Sequence, residues 1–133
     1  MRTEVGRFLD RIRAQVEAAH TLEDALVAAI TEAGKTIATH ATLQYLLEHE
    51  PEVVLPTLAF RRLDDVLAVV RSVGAPLLAR FVPNHDEDDA ATVAEWAARI
   101  ALSYTLSPSP GVNTADEASV RRLVRTYVLP GLS

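Results

Sequence analysis

The stretch AATVAEWAARIALSYTLSPSPGVNTADEASVRRLVRTYVLPGL, residues 90–132, decides how this chain folds. From Ala90 to Leu106 only Glu95 and Arg99 carry charge, and they stand four residues apart, so on a helix they share one narrow strip. The rest of the circumference is largely apolar. One side presents Val93, Trp96, Ile100 and Tyr104, and another presents Ala91, Ala94, Ala98 and Ala101, small side chains that let a second helix come close. Two apolar faces need two partners. The Ser/Pro segment SPSPG, residues 107–111, then reads as a stiff interhelical loop. Thr114 and Glu117 form a capping box ahead of a second stripe, Val120, Leu123, Val124, Tyr127 and Val128, which Pro130 and Gly131 close. Helices over about 87–106 and 115–129 predict a two-helix layer, and two copies of that layer make a four-helix interface. The plainer reading of the same residues is the central helix of a monomeric bundle.

Working back toward the N-terminus, Val5, Phe8, Leu9, Ile12 and Val16 fall on one face and predict a helix over about 2–18. Thr21 with Asp24 resembles a capping box. It opens the stripe Leu22, Ala25, Leu26, Ala29, Ile30, Ala33 and Ile37, a helix over about 22–39. ATLQYLLEHE, residues 41–50, gives a short third helix that Pro51 ends or restarts. Leu63, Val66, Leu67 and Val70 mark a fourth between Pro56 and Val73, with Gly74 as its stop and Pro76 opening a short continuation to Phe81; one kinked helix is the alternative. The acids of HDEDD, residues 85–89, suit the positive end of the helix that follows. No alternating strand pattern and no internal repeat is present, so the expectation is one all-α domain over 1–133, an antiparallel bundle of about six to seven helices.

Composition narrows the function. The 133 residues hold no cysteine, which removes disulfides, thiolate chemistry and Cys-based zinc sites and fits a reducing cytoplasm. Eighteen acidic against 13 basic residues give a net charge of −5, the wrong sign for a broad grip on phosphate backbones. The start MRTEVGRFLDRIR spreads charges where a signal peptide needs an apolar run, and no apolar run approaches a membrane span, so a cytoplasmic location with no membrane partner is expected.

Reactive constellations do not develop. His49 and Glu50 begin a helical metalloprotease pattern, but the second histidine is missing at Val53 and Pro51 interrupts the helix. His85 with its acidic neighbours lacks the glycine that a calcium loop needs for its turn, so no metal is expected and helix capping accounts for the acids. No GxSxG elbow, P-loop, GxGxxG or paired-carboxylate signature occurs; no catalytic residue and no cofactor is assigned. Polar-tipped and aromatic residues embedded in aliphatic segments are what a small-molecule pocket uses. Phe60, Leu63, Leu67, Tyr45, His49, Trp96, Ile100 and Tyr104, with His40 nearby in sequence, are the pocket candidates, centred on a cavity near Trp96 and Phe60. Ala91, Ala94, Ala98, Ala101, Leu123, Val124, Tyr127 and Val128 are the candidates for a dimer interface.

EVGRFLDRIRAQ, TLEDALVAA, HATLQYLLEHEPEVVLP, AEWAARIALSYTLSPSPGV and VRRLVRTYVLPGL together resemble the C-terminal regulatory domain of TetR-family transcriptional repressors, over nearly the whole chain. Such regulators begin with a three-helix DNA-reading head, which nothing in these residues matches, and Met1 sits where the helix linking head to body begins. The resemblance implies a connector in the first helix, a pocket wall in the second to sixth, and a dimer bundle in the last two. It implies a homodimer, a small apolar or amphipathic effector, and DNA contact only through a head, with the dimer spacing two heads over successive half-sites. A head-less protein forming mixed dimers with a full-length regulator and a small helical enzyme are the rival readings.

Overall fold

The computed structural model describes residues 4–52, 63–107 and 109–132, and the described residues are overwhelmingly helical. Six α-helices follow in order: α1 (Glu4–Ala18), α2 (Leu22–Thr39), α3 (Ala41–His49), α4 (Leu63–Leu78), α5 (Glu87–Leu106) and α6 (Glu117–Leu123). The expected start of the fourth helix near Pro56, and the pocket candidate Phe60, lie outside the described residues.

Polar side chains set the helix ends. Thr21 caps α2 by accepting the Asp24 N–H at 3.1 Å. At the other end of α2 the Ile37 carbonyl accepts twice, from the His40 N–H at 3.2 Å and from the Gln44 amide at 2.7 Å, so the first turn of α3 is tied to the last turn of α2. Residues 51 and 52 are helical again, so Pro51 restarts the chain instead of merely ending α3. Asp86 caps α5 through the Asp89 N–H at 3.1 Å, and Glu87, Asp88 and Asp89 occupy its first turn, where a negative charge is stabilised.

Two expectations about helix ends need correction. Gly74 does not stop the fourth helix: α4 runs through it and through Pro76 to Leu78, then tightens into a 3₁₀ turn over Ala79–Phe81. Gly74 is needed for closeness. A Cβ built there would overlap the Cβ of Ala94, so the missing methyl lets α4 lie against α5. The capping box at Thr114 and Glu117 is also displaced. Thr114 is buried and Asp116 caps α6 by accepting the Ser119 N–H at 3.1 Å. The shift has a local cause, because Asn113 Oδ1 accepts the Ala115 N–H at 2.9 Å and the Asn113 N–H donates to Ser119 Oγ at 2.9 Å, holding one more turn of loop before the helix. Gly34 accommodates that loop, since a Cβ on it would run into the Thr114 carbonyl.

Helix α2 is the hub. It packs on α1, α5 and α6, while α4 lies along α5. Ala25, Leu26, Val27 and Ile30 of α2 are almost wholly buried with Val16 of α1, Ala90, Ala94, Ala97 and Ala101 of α5 and Val120, Val124 and Val128 beyond them. Each buried Leu, Ile or Val contributes about 1.5–3 kcal/mol relative to exposure. The chain from Val124 to Val128 forms a π turn and Leu129–Leu132 a 3₁₀ turn, so the final helix loosens and then tightens.

Gly74→Ala tests the α4–α5 approach. Replacing a helical glycine by alanine ordinarily stabilises by about 0.8–1 kcal/mol, but the overlap with Ala94 reverses the sign here. Urea unfolding is expected to show a loss of about 1–3 kcal/mol, and Ala94→Gly in the same chain should recover a measurable part of it.

Candidate functional site

Four helices converge on an apolar cleft of about 130 Å³. Helix α1 contributes Phe8, Leu9, Ile12 and Val16; α2 contributes Leu26, Ala29, Ile30 and Ala33; α4 contributes Val70, Val73, Gly74, Leu77 and Leu78. Helix α5 completes it with Ala94, Ala97, Ala98 and Ala101. The helical period explains the set: residues three and four apart share a face, and on α2 and α5 that face is rich in alanine. Space remains because those walls are short.

On the other side, α5 presents Trp96, Ile100 and Tyr104 to a second, larger groove of about 540 Å³ shared with Val112, Arg122, Leu123, Tyr127 and Val128. This face is open to solvent. Trp96 is 42% exposed and Tyr127 72%, large fractions for side chains of that size.

The alanine face of α5 is covered by the chain itself, and the face bearing Trp96 is the exposed one. Ala91, Ala94 and Ala101, expected between subunits, are buried within the chain, and Ala94, Ala98 and Ala101 line the cleft. Trp96, Ile100 and Tyr104, expected around a pocket, line the exposed groove instead. The cause is α4, whose Gly74 takes the close approach that the alanine face offers, leaving the bulkier face uncovered. Leu123, Val124 and Val128 are turned into the chain's own core, and of the four interface candidates on the last helix only Tyr127 is exposed. Leu67 is buried and Leu63 half-buried, yet neither lines the cleft. Tyr45 and His49 are exposed and rest against each other with ring centroids 4.5 Å apart, and His40 is half-buried at the end of α2. Of the described pocket candidates, Trp96, Ile100 and Tyr104 therefore share the exposed groove, and Leu63, Leu67, Tyr45 and His49 do not join them there. Sequence reasoning missed Phe8, Leu9, Ile12, Ala29 and Ala33, although their spacing on α1 and α2 is the signal that places them together.

Charged residues fasten the cleft's walls from outside. Arg11 pairs with Glu32, and the Gln15 amide donates to the same carboxylate at 3.2 Å, joining α1 to α2. Arg80 reaches the C-terminal end of α1 and donates to the carbonyls of Val16 at 2.8 Å, Glu17 at 3.1 Å and Ala19 at 2.8 Å. Its guanidinium also lies 4.1 Å from the centre of the Phe81 ring. Glu95 accepts from Arg71 of α4 at 3.1 Å and from Arg99 at 3.0 Å. The C-terminal helix is tied to the first turn of α2: Arg121 pairs with Glu23, with Asp24 at 2.9 Å and with Glu117 at 3.3 Å, while Arg125 reaches Glu23 at 2.8 Å.

These contacts move the carboxylates. The hydrogen bond from Arg125, aided by Arg121, holds Glu23 below the usual range, and the bond from Arg99, aided by Arg71, does the same for Glu95. Burial pushes Glu32 up, but the bonds from Arg11 and Gln15 outweigh it and the net shift is downward. Asp24 first, and then Glu23, push Arg121 above its ordinary value.

Among the described residues, no group of three or more His, Asp or Glu side chains is placed to hold a metal ion. No described helix is long and apolar enough to cross a membrane. His85 Nδ1 sits 3.2 Å from the Ala79 carbonyl, within hydrogen-bonding distance of the backbone. Comparison with protein-family models, curated proteins and solved structures finds no match.

Acid titration tests the ion pairs. A carboxylate whose folded pKa is depressed stabilises the fold above its unfolded value, near 4.5 for Glu23, and loses that contribution as pH falls through the folded pKa. The melting temperature should therefore decline as pH is lowered from about 4.5. Glu23→Gln should lower it at pH 7 and shrink the difference from the parent protein at pH 2, where the parent carboxyl is also protonated.

Proposed function

We propose that this domain is the effector-sensing and dimerisation body of a TetR-like transcriptional regulator. The observation that carries the reading is the identity of the cleft's fourth wall. Helix α1 lines the cleft along Phe8, Leu9, Ile12 and Val16, and it corresponds to the helix that the sequence resemblance makes the connector to a DNA-reading head. An occupant of the cleft touches the connector directly. Arg80 holds the C-terminal end of α1, so a change in the angle of α1 pivots about that end and is largest at its start.

A ligand alters DNA affinity only through the difference between its affinities for the two arrangements of α1. A coupling of about 1–3 kcal/mol is ordinary for such a switch. The exposed aromatic face supports the dimer: Trp96 and Tyr127, flanked by Ile100 and Tyr104, are the large side chains whose burial dominates interfaces. Stable subunit interfaces of this kind bury roughly 2,000 Å² or more. DNA contact in this reading belongs to a head and to none of the residues described.

Sedimentation at micromolar concentration tests the proposal, with twice the chain mass expected. Trp96→Glu and Tyr127→Glu should each weaken self-association by about 30-fold or more, the scale of a lost aromatic anchor, while the circular dichroism of the helices is retained. A parent protein that sediments as a folded monomer overturns this reading.

A further inference from the structure

We infer that the cleft between α1, α2, α4 and α5 takes one compact, uncharged, hydrocarbon-like molecule of about the size of a single aromatic ring. This deepens the regulatory reading and rests on it for its purpose, but the binding chemistry stands on the cleft itself.

Size sets the upper bound. A cavity of about 150 Å³ lined by Leu, Ile and Phe admits benzene or xenon, and the volume here, about 130 Å³, is similar, in a cleft that is partly open to solvent. A fused multi-ring ligand or a long chain would leave part of its apolar surface in water at the mouth of the cleft or push α1 away from α2. The pairs Arg11–Glu32 and Gln15–Glu32 oppose that movement on one side, and Arg80 opposes it at the end of the helix.

Lining chemistry sets the rest. Every lining residue is apolar, and Arg11, Arg71 and Glu95, each next in sequence to a lining residue, are engaged with partners and are not part of the wall. A carboxylate, ammonium or sugar hydroxyl placed inside would lose its water and find no side-chain hydrogen-bond partner. An apolar guest instead regains the dispersion contacts that the short walls leave unmade. Those walls are Ala29 and Ala33 on one side and Gly74, Ala94, Ala98 and Ala101 on the other, so the room comes from side chains whose enlargement would fill it. Ala33 and Ala98 are only half-buried, which makes them the positions where a larger side chain can be introduced at least cost to the fold.

The test uses the whole chain with toluene as probe and benzoate and benzylamine as charged counterparts of similar shape. Toluene should raise the melting temperature in a saturable way and give intermolecular nuclear Overhauser contacts to methyl groups of Ile12, Ile30 and Leu77. Benzoate and benzylammonium should bind about 100-fold more weakly or not at all, the scale on which an unpartnered buried charge is rejected. Ala98→Leu and Ala33→Leu should each weaken toluene binding at least 10-fold; if either variant fails to fold, the Overhauser contacts in the parent still locate the ligand. Absence of saturable toluene binding overturns the inference, as do equal binding of benzoate or contacts confined to residues outside the cleft. Failure of the regulatory reading looks different: toluene binds in the cleft, yet the protein sediments as a monomer.

Discussion

Everything in this fold is arranged around how closely α4 can approach α5. Gly74 has no side chain and Ala94 has a single methyl, so the two helix surfaces meet where larger residues would hold them apart. That contact fixes which face of α5 is turned inward. Once the alanine side is taken by α4, the side bearing Trp96, Ile100 and Tyr104 meets, among the described residues, the loop at Val112 and the edge of the C-terminal helix, and Trp96 is left partly facing solvent. The same short side chains that allow the approach also leave the neighbouring space between α1, α2 and α5 incompletely filled. A tight contact and an adjacent cleft thus share one origin in the scarcity of side-chain volume along two helices.

Charge completes what the apolar contacts begin. The pairs are partly exposed, and each is worth little in isolation. Their arrangement matters more than their strength. Glu23 and Asp24 stand in the first turn of α2, where negative charge is favoured, and receive Arg121 and Arg125 from nearly the other end of the sequence. Arg80 performs the complementary task at the end of α1, where carbonyls are left without helical partners. At the end of α1 a remote arginine supplies the favoured charge, and at the start of α2 the helix's own acids receive two remote arginines, so both contacts tie distant parts of the chain together.

The all-helical architecture was legible because it rests on local pattern. Three-and-four spacing located α1 and α2, Thr21 and the acids before α5 marked helix starts, and the absence of alternation excluded strands. What remained illegible was partner choice. Periodicity says that α5 has two apolar sides but not which neighbour claims which, and that depends on Gly74, a residue whose usual reading is a helix stop. Nor does local pattern give the partners of Arg121 and Arg125, since Glu23, which both of them meet, lies roughly a hundred positions earlier. Thr114 misled for a different reason: a capping residue and a turn residue use the same hydroxyl-bearing vocabulary, and Asn113 with Ser119 settled the competition.

The π turn over Val124–Val128 has a consequence for the seam between the C-terminal helix and α2. At about 3.6 residues per revolution, successive steps of four overshoot a full turn by about 40° each, so a row such as Val120, Val124 and Val128 drifts sideways around an ordinary coil. A wider revolution absorbs that excess and swings Val128 back toward the line set by Val120. All three valines accordingly stay buried, two of them completely. One broadened turn of backbone keeps the row of valines facing the core, in the manner of a leap day that keeps a calendar aligned with the seasons.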